Sequence, residues 1–372
     1  LMFKPDKLIL TAGPSVTDLE LRYTSDAVKN GWNENWNGYL NQFESKFAEI
    51  IGAKYAVTTS SGTGALHLSL LALGIGEGDE VILPDLTWVA TAHAIKYTGA
   101  NPVFIDVDPE TWTIDPDKII PAINKRTKAI MPVHLYGHPC NMERIMNIAN
   151  EFNLYVVEDA APAVGAMSGN KHVGSFGEFG VFSFQGAKMV VTGEGGMICT
   201  NDKSLIDAVR RIGDHGRAPK EGNPFWIDCI GFKYKMSNIQ AAFGLAQIER
   251  LDELIMKKRT IFGWYRDRLK DIDGLLLNTE ADWAKSIYWM PSICFNGEFP
   301  ITRNQLITAL KADLIDTRPV FPKVSVMKMW NEQDNPIATH ISKNALNLPG
   351  CHNLSEEIVD YICRSIKLHL NK

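Results

Sequence analysis

Short apolar segments alternate with helical stretches over the first 250 residues, and this alternation strongly constrains the fold. Residues 81–83, 103–105 and 129–133 have the composition of short buried strands. Helical stretches such as residues 142–151 lie between them. One predicted helix, which Gly52 ends, has apolar residues at helical spacing: Leu40, Phe43, Phe47 and Ile50. This pattern predicts an α/β domain with a mostly parallel sheet covered by helices on both faces.

The remainder of the chain has a different pattern. A long helix over residues 238–259 is predicted to leave the first domain. From residue 261 on, helices and short strands are mixed, as in a small α+β domain. We therefore expect a large domain of residues 1–250 and a small C-terminal domain of residues 251–372. Residues 1–30 are free to pack on the small domain.

Composition excludes several classes of protein. The 372 residues are 45% hydrophobic and 22% charged, which is the balance of a globular protein. A net charge of −5 provides no basic surface for nucleic acid or for an anionic membrane. No apolar run is long enough to cross a bilayer, and no export signal is recognised, so we expect a cytoplasmic protein. The six cysteines lack metal-ligand spacing, which predicts reduced thiols and no metal site.

Lys188 lies between a short apolar strand and a glycine-rich turn. The sequence of residues 181–196 is Val-Phe-Ser-Phe-Gln-Gly-Ala-Lys-Met-Val-Val-Thr-Gly-Glu-Gly-Gly. A lysine in this setting can act as an amine nucleophile that forms a Schiff base with a carbonyl compound, including pyridoxal phosphate (PLP). Most lysines are surface groups. The prediction therefore depends on two features upstream.

The two upstream features are an acidic residue and a turn of small residues. Asp159 ends an apolar segment, Tyr-Val-Val-Glu-Asp, that is typical of a buried parallel strand. Ligands of open α/β sheets bind at such strand ends, although a helix cap is the alternative for Asp159. Residues 58–63, Thr-Thr-Ser-Ser-Gly-Thr, follow a strand and precede an apolar helix. The start of that helix can bind a phosphate, or its hydroxyl groups can simply cap the helix.

Taken in order, these motifs resemble the DegT/DnrJ/EryC1/StrS family of nucleotide-sugar aminotransferases. The matching motifs are the Ser-Gly-Thr turn, Glu-Asp-Ala-Ala, and Ser-Phe-x-x-x-Lys followed by Gly-Glu-Gly-Gly. Further similar segments begin at Gly78, Pro102, Pro132 and Gly231, so the resemblance covers about residues 31–348. It implies the fold of fold-type I PLP-dependent transferases, in which the large domain binds PLP beside a smaller C-terminal α+β domain.

The resemblance also implies a cofactor site. Lys188 would hold PLP as a Schiff base and, once free, would move the proton between the substrate carbon and the cofactor, which alternates with its amino form, PMP. Asp159 would keep the pyridine nitrogen protonated. Trp88 would stack on the ring, and a core tryptophan is the alternative. The phosphate would be held by Gly62, Thr63 and Ser183.

Two positions depart from the common family pattern. Pro162 replaces a glutamine whose amide approaches the 3′-oxygen of PLP in many relatives, and proline cannot make that contact. Lys233 replaces an asparagine that reaches the phosphate from the neighbouring subunit. The resemblance therefore implies a homodimer in which Lys233 pairs with the partner's PLP phosphate. A solvated lysine at a strand edge is the alternative.

Matches in the substrate region are fewer. Residues 288–293, 317–322 and 348–350 are most similar to 4-aminotransferases that make perosamine-type sugars. They mark Tyr288 and Arg318 as candidates, with Arg318 either binding a pyrophosphate or forming a surface salt bridge. Trp32 and Trp36 lie where relatives have a substrate loop, and stacking on a base or hexose competes with core packing. His215 lies in a loop near the active site of relatives.

Our leading hypothesis is an enzyme, a PLP-dependent nucleotide-sugar aminotransferase. It would convert a 4-keto-6-deoxy nucleotide-hexose to the 4-amino sugar for surface polysaccharide such as lipopolysaccharide O-antigen, with glutamate as amino donor. The alternatives are a 3-aminotransferase acting on a 3-keto nucleotide sugar, a PLP-dependent sugar dehydratase and a non-catalytic regulator. Lys188 argues against the dehydratase, because related dehydratases have histidine there. The residues do not distinguish GDP, dTDP and UDP.

Overall fold

The computed structural model describes residues 5–371. Its α-helices are α1 (Asp18–Asn30), α2 (Gly38–Ile51), α3 (Gly62–Ala72), α4 (Ala90–Tyr97), α5 (Ile119–Ala122), α6 (Met142–Phe152), α7 (Lys203–Gly213), α8 (Asn238–Glu249), α9 (Leu251–Leu269), α10 (Arg303–Ala312), α11 (Pro336–Asn344) and α12 (Glu356–Leu370). Its strands are β1 (Tyr55–Thr59), β2 (Glu80–Pro84), β3 (Asn101–Ile105), β4 (Thr127–Ile130), β5 (Tyr155–Asp159), β6 (Met167–Ser168), β7 (Lys171–His172), β8 (Phe179–Ser183), β9 (Gly196–Thr200), β10 (Leu275–Leu277), β11 (Ala284–Lys285), β12 (Ser292–Phe295), β13 (Arg318–Pro319) and β14 (Ala345–Asn347).

A seven-stranded sheet in the order β1-β9-β8-β5-β4-β2-β3 forms the centre of the fold. Strands β8, β5, β4, β2 and β3 pair in parallel, and β9 runs antiparallel between β8 and β1. Every residue of β2, β8 and β9 is buried, as expected for strands covered on both faces. The predicted α/β fold with a mostly parallel sheet is confirmed, and one strand of this sheet is reversed.

Helix α2 packs beside the segment that follows β8. Phe43 and Phe47 are fully buried. Their rings lie 5.2 and 5.6 Å from that of Phe184, measured between ring centres. Gly52 ends the helix in the left-handed region, with φ of 76°, which glycine adopts without steric cost. The helix predicted from apolar spacing, and its end at Gly52, are confirmed.

The single helix predicted over residues 238–259 is wrong, because the chain turns at Arg250. Helix α8 ends at Glu249 and α9 begins at Leu251, with Arg250 at φ −104° and ψ 13°. The Arg250 Nη1 donates to Glu20 Oε1 at 2.7 Å, and Nη2 donates to Ser15 Oγ at 3.0 Å. The turn directs the guanidinium to the first turn of α1. Apolar spacing continues across it, so the pattern alone does not reveal the break.

A second hydrophobic cluster surrounds the four-stranded sheet β10-β12-β14-β13. Ile9 belongs to this cluster, and its N–H donates to the carbonyl of Leu314 at 2.8 Å. Helix α9 joins this cluster to the one that contains Phe43 and Phe47 of α2, because Ile261 packs in the former and Leu254 in the latter. The domain boundary at residue 250 stays a prediction, and residues 1–4 and 372 of the two predicted domains lie outside the described residues.

Residues 320–338 are fixed over the carboxyl ends of β2 and β3. Asp85, which follows β2, is fully buried and accepts hydrogen bonds from the Ser325 N–H at 2.7 Å and from Asn335 Nδ2 at 2.7 Å. Asp106, which follows β3, accepts from the N–H of Ala338 at 2.8 Å, near the start of α11. A carboxylate is stabilised at a helix N-terminus. These contacts fix the segment that begins beside Phe321, and Phe321 is one of the residues that line a cavity.

Residues 5–371 contain neither a candidate membrane span nor a candidate metal site. No helix in this range is both long and apolar enough to cross a membrane. Nowhere in the same range do His, Cys, Asp and Glu side chains gather as ligands for a metal ion. The six cysteines are unpaired, and five of them are buried, as predicted for core-filling thiols.

Candidate active site

A cavity of about 500 Å³ lies at the carboxyl ends of the parallel strands. Its size is typical of small-molecule sites, and the carboxyl edge is where α/β sheets bind ligands. The C-terminal part of the chain supplies the opposite wall. The cavity is lined by eight of the residues singled out from the sequence: Gly62, Thr63, Trp88, Asp159, Pro162, Ser183, Lys188 and Arg318.

Lys188 lies in the loop between β8 and β9. The loop is closed by a hydrogen bond of 2.9 Å from the N–H of Gly186 to the carbonyl of Gly193, which has φ of 83°. The Lys188 Nζ lies 4.1 Å from the centre of the Trp289 ring. Burial lowers the pKa of Lys188 from 10.5 to about 8, although the negative charge of Asp159 acts in the opposite direction. A lysine in this state is a nucleophile near neutral pH.

Asp159 ends β5 and lines the same cavity. Its Oδ2 accepts from Thr91 Oγ1 at 2.8 Å, and its Oδ1 accepts from the N–H of Ala161 at 3.2 Å. Burial raises the pKa of Asp159, and these hydrogen bonds and the charge of Lys188 oppose that shift. The alternative of a helix cap is wrong, since no helix begins within residues 160–202, all of which the structure describes.

The first turn of α3 lies against the end of β8. Ser61 is the N-cap, and its Oγ accepts from the N–H of Gly64 at 3.0 Å. A Cβ on Gly62 would lie 2.9 Å from Ser183 Cβ, so the close approach requires glycine. The capping alternative is therefore confirmed at Ser61. Because N–H groups of a first helical turn have no intrahelical acceptor, the adjoining Gly62 and Thr63 can also bind an anion together with the Ser183 hydroxyl.

Trp88 stands at the rim of the cavity. Its side chain is 56% exposed, and its ring lies 5.5 Å from that of Phe321 between ring centres. The alternative of a core tryptophan is therefore wrong. Its position leaves one aromatic face available to a planar ligand.

Arg318 lies in β13 and lines the cavity from the C-terminal part of the chain. Its Nε is 3.6 Å from Asp316 Oδ2, and its side chain is 67% exposed. Asp316 also accepts a hydrogen bond from Thr11 Oγ1 at 2.5 Å. Arg318 thus forms the predicted surface salt bridge and still presents guanidinium N–H groups to an anion in the cavity.

Three predicted substrate residues lie outside the cavity of a single chain. Trp32 and Trp36 are 56% and 51% exposed, so the alternative of core packing is wrong. The Trp32 Nε1 donates to the carbonyl of Val28 at 2.7 Å. His215 is exposed, with φ of 63°. Roles of these residues toward a substrate stay predictions.

Lys233 and Tyr288 are also absent from the lining. The Lys233 Nζ is 2.9 Å from Asp214 Oδ1 and belongs to an exposed side chain. Tyr288 is buried and stacks on Phe262, with ring centres 3.7 Å apart. Tyr288 packs away from the cavity, while Lys233 is accessible to a second chain.

The cavity also contains residues that sequence reasoning missed. Thr91 holds Asp159 from the first turn of α4, and its place three residues after Trp88 was a usable signal. Glu194, in the Gly-Glu-Gly-Gly turn, lines the cavity as well. Trp289 lies in the matched segment of residues 288–293, but nothing in that segment distinguishes it from Tyr288. Its orientation follows the left-handed backbone of Tyr288, at φ of 47°.

The groups in the cavity fit PLP. A buried amine of lowered pKa, a carboxylate at a strand end, an exposed tryptophan face and a helix N-terminus with a nearby hydroxyl are the features that an aldehyde, a pyridine ring and a phosphate require. Pro162 lines the cavity but offers no side-chain donor, as expected from the sequence.

Comparisons with known proteins agree with this geometry. Residues 14–367 match the profile of the DegT/DnrJ/EryC1/StrS aminotransferase family. The GDP-perosamine synthase of Escherichia coli O157:H7 is 46% identical over 363 residues, which span 97% of this chain and 98% of that protein. The GDP-perosamine synthase of Caulobacter vibrioides is 40% identical, spanning 96% of this chain and 97% of that protein.

Solved structures give the same result. The aminotransferase TlmJ from Streptoalloteichus hindustanus superposes with a TM-score of 0.92 at 29% identity, covering 98% of this chain and 99% of that one. DesI, crystallised in the presence of its TDP-sugar product, superposes with a TM-score of 0.89 at 28% identity, covering 98% of this chain and 93% of that one. The chain therefore belongs to the DegT/DnrJ/EryC1/StrS aminotransferase family.

Proposed function

We propose that this aminotransferase converts a GDP-linked 4-keto-6-deoxyhexose to the 4-amino sugar, a perosamine-type product used in surface polysaccharide. Its likeness to GDP-perosamine synthases carries the proposal, with 46% identity over nearly the whole of both chains. The proposal is supported by Lys188 and Asp159, the lysine and carboxylate that we assign to amino transfer, since both line one cavity. We further propose glutamate as the amino donor and the cytoplasm as the location.

The cofactor is PLP, for which the cavity supplies suitable groups. Lys188 would hold it covalently through Nζ, and Asp159 would hold a proton on the ring nitrogen. Gly62 and Thr63 would hold its phosphate with the Ser183 hydroxyl, and the exposed face of Trp88 would cover the ring. When bound, PLP serves as an electron sink that stabilises negative charge on the substrate carbon.

Lys188 would also transfer the proton at the substrate carbon. Its lowered pKa of about 8 means that the ammonium and the free amine are both populated near neutral pH. General acid–base catalysis is most effective when the pKa of the group lies near the working pH. The same residue can therefore accept and return a proton at its Nζ.

Arg318 would bind the diphosphate of the sugar nucleotide. It lines the cavity together with Lys188, and no other arginine or lysine is among the lining residues of the described chain. A guanidinium can hold a phosphate with two parallel hydrogen bonds. With the diphosphate held there, the sugar would enter the cavity with its keto carbon towards Lys188.

A homodimer is part of the proposal. The loop before Lys233 exposes large apolar side chains, including Phe225 at 75% and Ile230 at 93%. Exposed apolar groups of this size are typical of an interaction surface. A second copy packed on this loop would cover them and bring Lys233 towards the partner's phosphate.

The proposal is tested with a panel of GDP-, dTDP- and UDP-linked 4-keto-6-deoxyhexoses, each supplied with glutamate. We expect turnover with the GDP sugar, 2-oxoglutarate as co-product, and an amine at carbon 4 by NMR. The variant Lys188→Ala is the control for amino transfer that bypasses the site. Preference for another nucleotide, or an amine at carbon 3, would overturn the substrate assignment. Loss of a sugar hydroxyl without amino transfer would instead indicate a dehydratase.

A further inference from the structure

Trp289 contacts Lys188 in two ways. Its ring centre lies 4.1 Å from the Lys188 Nζ, within the range of a cation–π interaction. Its Nε1 donates a hydrogen bond of 2.7 Å to the carbonyl of Ala187, the residue directly before Lys188. One indole therefore contacts the side chain of the lysine and also fixes the backbone that carries it.

Trp289 is itself held firmly. It is 4% exposed, and its ring lies 6.0 Å from that of Tyr136 between ring centres. The preceding Tyr288 has a left-handed backbone, with φ of 47°, and stacks on Phe262. A bulky residue keeps such a backbone only where its surroundings enforce it. The orientation of Trp289 is thus determined by its neighbours in the chain.

Lys258 supplies a further constraint from α9. Its Nζ donates to the carbonyl of Trp289 at 3.1 Å and to the carbonyl of Gly350 at 2.5 Å. The side chain is 2% exposed, and within residues 5–371 it forms no ion pair with a carboxylate. Burial lowers the pKa of Lys258 to about 8, so the folded protein carries this ammonium at a cost in stability. Such a cost is typical of functional sites.

We propose that Trp289, anchored by Lys258, is a positioning residue that gives the unattached amine of Lys188 a defined place and favours its protonated form. This inference rests on the proposed function, in which Lys188 must leave the cofactor and return to it in every cycle. The ring would keep the ammonium near the reacting carbon while the indole N–H keeps the Lys188 backbone fixed.

The alternative role for Trp289 is an apolar wall, and the two roles predict opposite results. If the ring stabilises the ammonium, replacing it by leucine lowers the pKa of Lys188 by about half a unit. If Trp289 only excludes water, the same replacement admits water to the cavity and raises that pKa. The direction of the shift therefore decides between them.

The pKa of Lys188 is measured in the cofactor-free protein by competitive labelling with 1-fluoro-2,4-dinitrobenzene across pH 6–11, followed by mass spectrometry of the Lys188 peptide. We expect a lower midpoint for Trp289→Leu and an intermediate one for Trp289→Phe, which keeps an aromatic face. The matched control is Trp264→Leu, because Trp264 pairs with Lys257 at 5.1 Å outside the cavity lining. That variant should leave the Lys188 midpoint unchanged.

Lys258→Met tests the anchor, because methionine is of similar length but cannot donate hydrogen bonds. We expect the Lys188 midpoint to fall, as in Trp289→Leu. Removing a positive charge alone would raise the midpoint, so a rise or no change excludes the anchoring role. A rise or no change in Trp289→Leu overturns the proposal for Trp289, whether or not Lys258→Met folds. The labelling needs no substrate, so these outcomes are independent of the sugar panel.

Discussion

The lowered pKa of Lys188 makes a quantitative prediction about the cofactor-free protein. With a pKa of about 8, about a quarter of the Lys188 side chains are neutral at pH 7.5, whereas about one in a thousand would be neutral at the ordinary value of 10.5. Because only the neutral amine attacks an electrophile, Lys188 should react much faster at this pH than an unshifted lysine of equal access, since its neutral fraction is roughly two hundred times larger.

The variant Asp159→Asn tests the same reasoning, because the direction of its effect on the pKa of Lys188 can be stated in advance. The carboxylate of Asp159 favours the ammonium of Lys188, so its removal should lower the pKa of Lys188 further. The labelling profile of Lys188 should then move to lower pH than in the wild-type protein. A variant that moved the profile to higher pH would show that hydration of the cavity, and not the charge of Asp159, controls the amine.

The assay is the competitive labelling described above, with N-acetyl-lysine added as an internal reference amine. Its pKa is close to the ordinary lysine value, so the ratio of the two rates corrects for any change in the reagent with pH. Circular dichroism at each pH verifies that the protein stays folded. A Lys188 midpoint close to 10 would refute the reasoning, since it would mean that water reaches the amine freely.

Five further outcomes are expected. Lys188→Ala should abolish amino transfer while leaving the fold intact, as measured by product formation and circular dichroism. Asp159→Asn should keep PLP bound but slow turnover at least a hundredfold, as stopped-flow absorbance would report. Gly62→Ala should weaken PLP binding in equilibrium dialysis, because the added Cβ would lie 2.9 Å from Ser183 Cβ. Sedimentation should reveal a dimer, and Lys233→Ala should retain PLP less tightly; an active monomer would contradict both.

Much of the central fold could be predicted because its signals are local. The buried strands are continuous apolar runs, and Gly52 ends α2 by a conformation that glycine adopts freely. The turn at Arg250 was not predictable in this way, because it depends on Glu20, more than two hundred residues earlier in the chain. A pattern of apolar spacing contains no information about such a contact.

The candidate site shows the same division between local and distant signals. Asp159 and Lys188 were found because each lies in a distinctive motif that follows a strand. Trp289 was missed because its contact with Lys188 joins segments about a hundred residues apart. The residue singled out instead, Tyr288, packs on Phe262 in the interior. In this segment the left-handed backbone decides which aromatic reaches the cavity, and the sequence gives no sign of it.

Two adjacent carboxylates, Glu158 and Asp159, end β5, and their surroundings explain why we assign the cofactor role to Asp159 alone. Successive side chains of a strand point to opposite faces, so Glu158 and Asp159 have different surroundings. Glu158 is fully buried and accepts hydrogen bonds from the N–H groups of residues 174, 176 and 177. Glu158 also accepts a hydrogen bond of 3.1 Å from His134 Nε2. The proton of the imidazole lies on Nε2, because His134 Nδ1 accepts a hydrogen bond from the N–H of Cys140.

Glu158 thus accepts four hydrogen bonds from the protein itself, which use its full acceptor capacity. Within residues 5–371, Asp159 accepts only from Thr91 and Ala161, while an ionised carboxylate can accept about four hydrogen bonds. The remaining capacity faces the cavity that contains Lys188. A protonated pyridine nitrogen provides one charge-assisted donor, which is what this carboxylate lacks. Asp159, whose acceptor sites are not all used within the protein, is therefore the carboxylate able to hold the cofactor.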